Sequence, residues 1–267
     1  MGRRNGIITL TTDFGTRDAY VGAMKGVICS ILPSARIVDI SHEIRPQKIL
    51  EAAFLLEATY PWFPPGTVHV AVVDPGVGTK RRPLAVEADG QFFVGPDNGV
   101  LSAPLGGRGV LVREITEKAY ALPEQSETFH GRDVFAPAAG HIASGLQIDL
   151  LGSAVSDAVV LDLPKPEVVG TRISGEIVRL DRFGNALSNI PRAILYQIGL
   201  GPYRVSAAGK DFGALHRRYQ DVPEGETLAL TGGDGRVEIA INGGSAAESH
   251  GLAPGDAMIV EQTEDGS

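Results

Sequence analysis

Apolar residues follow two alternating spacings along the first part of the chain. Ile7 to Thr12 is a short β-branched run closed by Asp13-Phe14-Gly15, and from Tyr20 to Leu32 apolar positions recur at helical spacing until Pro33. The order repeats: Ala35 to Ile40 predicts a strand, Gln47 to Tyr60 a helix ended by Pro61, and Thr67 to Val73 a valine-rich strand. Such alternation predicts a mostly parallel sheet with helices on both faces. Pro83 to Glu87 and Gln91 to Val94 flank Ala88-Asp89-Gly90, a hairpin signal, and Val134 to Ser144 predicts a later helix.

Beyond Leu161 the texture changes. Asp162-Leu163-Pro164-Lys165-Pro166-Glu167 reads as a proline-bearing connector, and only a stretch near Ala193 keeps helical periodicity after it. The short runs Ile173 to Leu180, Tyr203 to Ala207, Thr227 to Leu230, Val237 to Ile241 and Ala257 to Gln262 are separated by turns such as Gly232-Gly233-Asp234-Gly235. They predict a compact β-barrel or sandwich. The expected organisation is an N-terminal α/β domain over 1–163 and an all-β domain over 170–267, joined by a connector at about 162–171.

Composition narrows the function. With 24 Lys and Arg against 32 Asp and Glu the net charge is −8, which offers a polyanion no general attraction, so nucleic acid is not an expected partner. No run reaches the roughly 20 apolar residues of a membrane span. Arg3 and Arg4 precede only the short run Gly6 to Leu10, too short for a secretory signal, so the cytoplasm is the expected compartment. The single Cys29 has no intramolecular disulfide partner; its apolar neighbours Ile28 and Ile31 predict a buried, inert thiol.

Several motif-like strings fail on context. Asp13-Phe14-Gly15 and Arg132-Asp133 lack the glycine-rich loop and strand lysine of a kinase, and Gly76-Val77-Gly78-Thr79-Lys80 lacks the spacing of a phosphate loop. No histidine sits in a tight metal-ligand pair, so no metal is expected. Asp13 ends the first strand of an open α/β sheet, where ligands usually bind; its two oxygens suit a ribose diol or, equally, a loop cap. Asp74 follows the third strand before a sharp Pro-Gly turn, with Arg81 shortly beyond: a salt bridge stabilising the turn, or part of a site. His130 lies in a glycine-flanked loop opening the later helix, and whether it is structural or catalytic turns on its proximity to the other two.

Thr12-Asp13-Phe14-Gly15, Ser41-His42-Glu43-Ile44, Val72-Val73-Asp74-Pro75-Gly76-Val77-Gly78, Gly95-Pro96-Asp97-Asn98-Gly99, Phe129-His130-Gly131-Arg132-Asp133 and Asp181-Arg182-Phe183-Gly184-Asn185 together resemble the adenosine-forming S-adenosylmethionine hydrolases, also called S-adenosylmethionine hydroxide adenosyltransferases. The resemblance spans nearly the whole chain. It implies an α/β domain followed by a β-barrel, a homotrimer with sites between subunits, and kinship with fluorinase and chlorinase. It matches Asp74, Arg81 and His130 to a water-activating trio, whereas the halogenases carry tyrosine where this chain has Asp74. Asp13 matches the carboxylate that grips the ribose hydroxyls, and Asp181, Phe183 and Asn185 match a barrel motif meeting methionine and nucleoside. The usual Asn-Ser of the adenine-side loop is replaced here by Gly232-Gly233.

The implied reaction converts S-adenosyl-L-methionine to adenosine and L-methionine without a cofactor. The sulfonium departs as a neutral thioether, so the demanding task is to align and deprotonate water. Two other outcomes stand beside it: a halide-dependent transferase, disfavoured by Asp74, and a non-catalytic adenosine-binding module.

Overall fold

The protein is described by a computed structural model over residues 4–263; residues 1–3 and 264–267, the outer ends of the two expected domains and Arg3 among them, lie outside the described residues. The chain forms two compact units that meet in sequence between Asp162 and Leu163.

In the first unit β1 (Ile7–Thr12), β2 (Arg36–Ser41), β3 (Val68–Val72), β4 (Pro83–Ala88), β5 (Gln91–Pro96) and β6 (Leu111–Glu114) make one sheet in the order β2-β1-β3-β5-β4-β6. β2, β1, β3 and β5 run parallel; β4 and β6 are antiparallel additions. The chain leaves β1 for β2 on one side and returns to β3 on the other, so the connections diverge between β1 and β3. In an open α/β sheet that divergence opens a crevice at the strands' carboxyl ends. Asp13 directly follows β1 and Asp74 lies just past β3, which puts both at this edge.

α1 (Tyr20–Ile31) buries Val21, Met24 and Ile28, one helical stripe. α2 (Ile49–Thr59) follows, then the short α3 (Ser102–Leu105) and α4 (Ala136–Ala143). Pro61 does not simply end the second helix: α2 stops at Thr59 and Pro61 sits inside a tight turn, Tyr60–Trp62, where its missing N–H costs nothing. A Cβ on Gly140 of α4 would lie 3.2 Å from the Ile31 side chain, so glycine sets how closely α4 approaches α1. The hairpin turn is Asp89-Gly90, both at positive φ (52° and 74°), the turn whose twist matches the flanking strands.

Cys29 corrects one expectation: it is exposed. It sits about 100° round α1 from the buried Ile28 and so falls off the stripe, a rotation its apolar sequence neighbours conceal.

The second unit holds β7 (Glu167–Val169), β8 (Arg172–Leu180), β9 (Ala186–Pro191), β10 (Tyr203–Ala207), β11 (Lys210–His216), β12 (Thr227–Thr231), β13 (Arg236–Ile241) and β14 (Ala257–Gln262). They follow the order β14-β10-β11-β12-β13-β9-β8-β7, and β14 also pairs with β8, which closes a seven-strand barrel with β7 as an appendage. Of the two all-β architectures, the barrel is the one formed. Ile173, Ile177, Ile190, Val205, Ile239 and Val260 fill its interior. The helical stretch expected near Ala193 is α5 (Arg192–Leu195); sequence reading missed β6, β7, β9 and β11, and also α3 and α6 (Ala246–His250). The last has a legible start, Ser245 accepting the Glu248 N–H at 3.2 Å, and a stop at Gly251 with φ 67°.

One buried histidine makes stability depend on acid. His69 of β3 bonds Thr9 Oγ1 through Nδ1 (2.8 Å) and Gln91 Oε1 through Nε2 (2.6 Å), stacked on Phe93. Burial lowers its pKa to about 4. Because the folded pKa lies below the unfolded one, the stability contribution is complete above pH 6.5 and is lost as pH falls toward 4. Denaturant titrations should show wild type losing up to about 3 kcal/mol more than His69→Gln between neutral pH and that region. Equal losses in the two proteins would mean that His69 is not the titrating group.

Candidate active site

Three of the residues singled out in the sequence converge. Arg81 lies seven positions after Asp74, and its side chain folds back along the intervening loop: Nε donates to Asp74 Oδ1 (3.1 Å) and Oδ2 (3.0 Å), and Nη2 to Oδ2 (2.5 Å). The same Nη2 reaches His130 Nδ1 at 2.8 Å. The pair is nearly sealed, with side-chain exposures of 8 % for Arg81 and 5 % for Asp74. The buried Phe135 ring lies 5.2 Å from the Arg81 guanidinium carbon. The loop itself packs on the segment leading to His130, for a Cβ on Gly78 would fall 2.5 Å from the Glu127 carbonyl oxygen.

His130 does not simply precede a helix starting at Val134. It opens the helical segment, and Gly131–Phe135 form a wide π turn before α4. Such insertions concentrate at functional sites. Within it Asp133 is fully buried, pairs with Arg132 (2.6 Å) and accepts the Ser126 N–H (2.8 Å), which fastens the loop that presents His130. A Cβ on Gly131 would lie 3.3–3.4 Å from the side chains of Phe129, Phe14 and Met24, tighter than ordinary contact.

The geometry fixes the protonation of His130. Arginine only donates, so Nδ1 must accept and a neutral ring carries its proton on Nε2. Burial first, and the positive Arg81 next, hold the His130 pKa below its ordinary value, against smaller opposing effects of Asp74 and Asp133. The ring is therefore neutral at physiological pH. One donor of the cluster is left over: Arg81 Nη1 is buried and has no acceptor among the described residues. A buried guanidinium N–H without a partner is costly, and an oxygen ligand would satisfy it.

Asp13 takes the loop-cap option with one oxygen: Oδ2 accepts the N–H of Gln47, which sits at a positive φ of 67°. Oδ1 has no partner among the described residues. Beside it Phe14, Tyr20, Ser126, Thr128, Phe129 and Arg132 line a hollow of about 350 Å³. Among the described residues no cluster of three or more His, Cys, Asp or Glu could hold a metal ion, and no helix is long and apolar enough to cross a membrane.

The barrel unit has its own cleft of about 550 Å³, lined by Phe183, Asn185, Tyr219, Gln220 and the Ile241 to Gly244 turn. Asp181 is not on that lining. Its Oδ1 accepts the Phe183 and Asn185 N–H groups and its Oδ2 the Asn185 side-chain amide, all at 2.9 Å, so it shapes the turn that presents the other two. Phe183 is 75 % exposed and Asn185 buried. Gly184 is obligatory in this turn, because a Cβ there would overlap Ser245 Oγ at 2.0 Å. Tyr219, missed in the sequence because no motif surrounds it, receives Asn185 Nδ2 (3.2 Å) and donates to the buried Glu238 (2.7 Å). Burial raises the Glu238 pKa, and burial together with that carboxylate raises that of Tyr219. Asn242, Gly243 and Gly244 were also missed, although their glycines announced a turn. At Gly232 a Cβ would come within 2.1 Å of Glu238 Oε2, so the barrel cannot accept a side chain there as it stands.

Comparison with known proteins agrees with these features. The chain is 38% identical over 261 residues to the (R)-S-adenosyl-L-methionine hydrolase of Salinispora arenicola, covering 95% of this chain and 97% of that protein. It is 39% identical to the protein of that name from Thermus thermophilus, covering 91% and 95%. A fluorinase of Nocardia brasiliensis is more distant, at 28% identity over 97% of this chain and 98% of its own. A crystal structure of an uncharacterized conserved protein from Thermotoga maritima superposes with a TM-score of 0.90 at 37% identity, covering 96% of this chain and all of that one. Residues 8–152 match the SAM hydroxide adenosyltransferase N-terminal domain and residues 175–259 the C-terminal domain of the same family, so the chain belongs to the SAM hydroxide adenosyltransferases.

Proposed function

We propose that this protein hydrolyses S-adenosyl-L-methionine to adenosine and L-methionine. Water attacks the ribose C5′ opposite the sulfonium, the C5′–S bond breaks with its electron pair going to sulfur, and one proton is released. The observation that carries the reading is the buried, unpartnered Arg81 Nη1 beside Asp74 and His130, a donor suited to a water or hydroxide oxygen. Relatives 38% and 39% identical are named (R)-S-adenosyl-L-methionine hydrolase, and the fluorinase relative is more distant at 28%.

The roles follow from donor and acceptor inventory. His130 Nδ1 is occupied by Arg81, so its Nε2–H orients the water as a donor and the Asp74 carboxylate accepts the proton. Asp13 Oδ1 is free for the ribose hydroxyls. Phe183 offers an exposed ring to the nucleoside and Asn185 its amide, with Asp181 holding both in place. With Gly232-Gly233 in the adenine-side loop, contacts to adenine come from backbone or from other residues. A neutral thioether leaving group needs no general acid, and the reading invokes no cofactor. It includes a homotrimer in which one subunit's barrel cleft completes its neighbour's site, supported by the exposure of Phe183 and by the resemblance, with the cytoplasm as compartment.

Chromatography of purified protein incubated with S-adenosyl-L-methionine should give adenosine and methionine in equal amounts, and no 5′-chloro nucleoside when chloride is added. A halogenated product, or none, overturns the assignment. Asp74→Ala, Arg81→Ala and His130→Ala should each lower turnover by about 10²–10⁴-fold while calorimetry finds adenosine binding near wild type. Asp13→Ala should weaken adenosine binding instead.

Protonating His130 at Nδ1 breaks its bond to Arg81. The acid limb of turnover should therefore lie below the ordinary histidine value of 6.5, and an acid limb above it would contradict a neutral, Arg81-bound ring. Specific activity should fall on dilution through trimer dissociation, read by sedimentation; constant activity across that transition would rule out a shared site.

A further inference from the structure

Gly95-Pro96-Asp97-Asn98-Gly99, at the carboxyl end of β5, has no place in the chemistry above. We infer that Asp97 and Asn98 are positioning residues that hold the two arms of the trio, Asp74 and Arg81, through the residues next to each. The inference rests on the hydrolase reading of that trio.

The Asp74 arm depends on Asn98. Parallel pairing between β3 and β5 runs from Val68↔Phe92 to Val70↔Val94 and stops there, short of Asp74. Gly95 keeps the strand ends close: a Cβ would sit 2.5 Å from the Ala71 carbonyl oxygen. Past this point the Asn98 side chain continues the work of the ladder, Nδ2 donating to the Val73 carbonyl at 2.9 Å while Oδ1 accepts the Val100 N–H at 3.1 Å. Val73 is the residue directly before Asp74, so its carbonyl belongs to the peptide unit that aims the catalytic carboxylate.

The Arg81 arm depends on Asp97. Its N–H donates to the Arg82 carbonyl (2.9 Å), and its Oδ2 accepts Nε (2.8 Å) and Nη2 (2.6 Å) of the same arginine. Oδ1 accepts the Val159 N–H at 2.7 Å, and Asp157 takes Arg82 Nη1 at 2.7 Å. Asp97 is buried, with only 4 % of its side chain exposed, so these are charge-assisted bonds with little competition from water. They also keep the second guanidinium away from Asp74: Arg82 is one residue from Arg81 and could otherwise compete for the carboxylate. Gly99, at φ 94°, closes the turn; a Cβ there would lie 2.5 Å from Leu161.

Two adjacent side chains thus anchor two segments separated by the Asp74–Arg81 loop. Asp13, just past β1, lies outside this arrangement, and so does its Gln47 contact. Loss of the anchor should therefore impair alignment of water without touching the ribose grip, and a misplacement of about 1 Å can cost roughly 10²-fold in rate.

Asn98→Ala is the direct test, with Asp97→Asn, which keeps the shape and removes the charge, as the variant retained if the first fails to fold. Turnover measured well below the thermal midpoint should fall about tenfold to hundredfold for Asn98→Ala and at least several-fold for Asp97→Asn, with adenosine affinity by calorimetry within about twofold of wild type. A purely structural role would leave kcat per folded molecule unchanged, or would weaken adenosine binding in step with it; either result overturns the inference. If wild type shows no hydrolysis, or Asp74→Ala turns over normally, the hydrolase reading itself falls. If Asp74→Ala is crippled while both anchor variants turn over normally, only the positioning role falls.

Discussion

A single guanidinium divides its donors between a carboxylate and an imidazole inside a site almost closed to water, and the organisation of the first unit follows from that constraint. Arginine cannot give up its proton or accept a hydrogen bond, so it can only donate to both partners: it binds both oxygens of Asp74 and leaves a neutral His130 no choice of tautomer. A lysine here would lack the planar fork that reaches two oxygens of one group and a nitrogen of another. Burial strengthens each contact, and it also makes any loss of geometry expensive, because a desolvated charge has no solvent to fall back on. This accounts for the density of fastening around the trio: Gly78 against the Glu127 carbonyl, Asp133 on the Ser126 amide, Asn98 on the Val73 carbonyl.

Topology supplies the place and loops supply the chemistry. The divergence of connections between β1 and β3 opens the sheet edge at which Asp13 and Asp74 emerge. Both are carboxylates on strand ends, yet their surroundings differ. Asp74 is enclosed and bound on both oxygens by Arg81, whereas Asp13 uses one oxygen to steady a strained loop residue and keeps the other. That asymmetry matches a division between handling a proton and holding a diol.

Much of this was legible in the sequence, and the reason is local. β1 to β5 and α1 each carry their periodicity within a few residues, and Asp89-Gly90 can hardly be anything but a hairpin turn. The convergence of Asp74, Arg81 and His130 was not readable from spacing; it rested on a resemblance, since nothing local tells position 81 that position 130 will be 2.8 Å away. β9 and β11 were missed because their burial is decided by barrel neighbours distant in sequence, and β7 because it follows prolines that read as a connector. Cys29 went wrong for the opposite reason, local apolarity overruled by rotation about the helix. Tyr219 carries no motif, and only the fold brings it to Asn185.

Charge bookkeeping explains why a carboxylate at position 74 suits water and not halide. Asp74, when ionised, would by itself repel an anion brought to about 4 Å by roughly 4 kcal/mol at an effective dielectric constant of 20, and Arg81, whose positive charge offsets part of this, directs its Nε and one Nη2 hydrogen at that carboxylate. Water enters neutral and meets no such barrier. In the proposed mechanism hydroxide character develops only as the proton moves to Asp74, so one negative charge is created as another disappears, and the sum over Asp74, Arg81, neutral His130 and the nucleophile does not change. In that mechanism the charge that arises on oxygen lies beside Arg81 Nη1, the buried donor of the trio that has no acceptor among the described residues. Tyrosine, which the resemblance implies for the halogenases at this position, is a neutral donor that can receive an anion but is a poor acceptor for the proton of water at neutral pH.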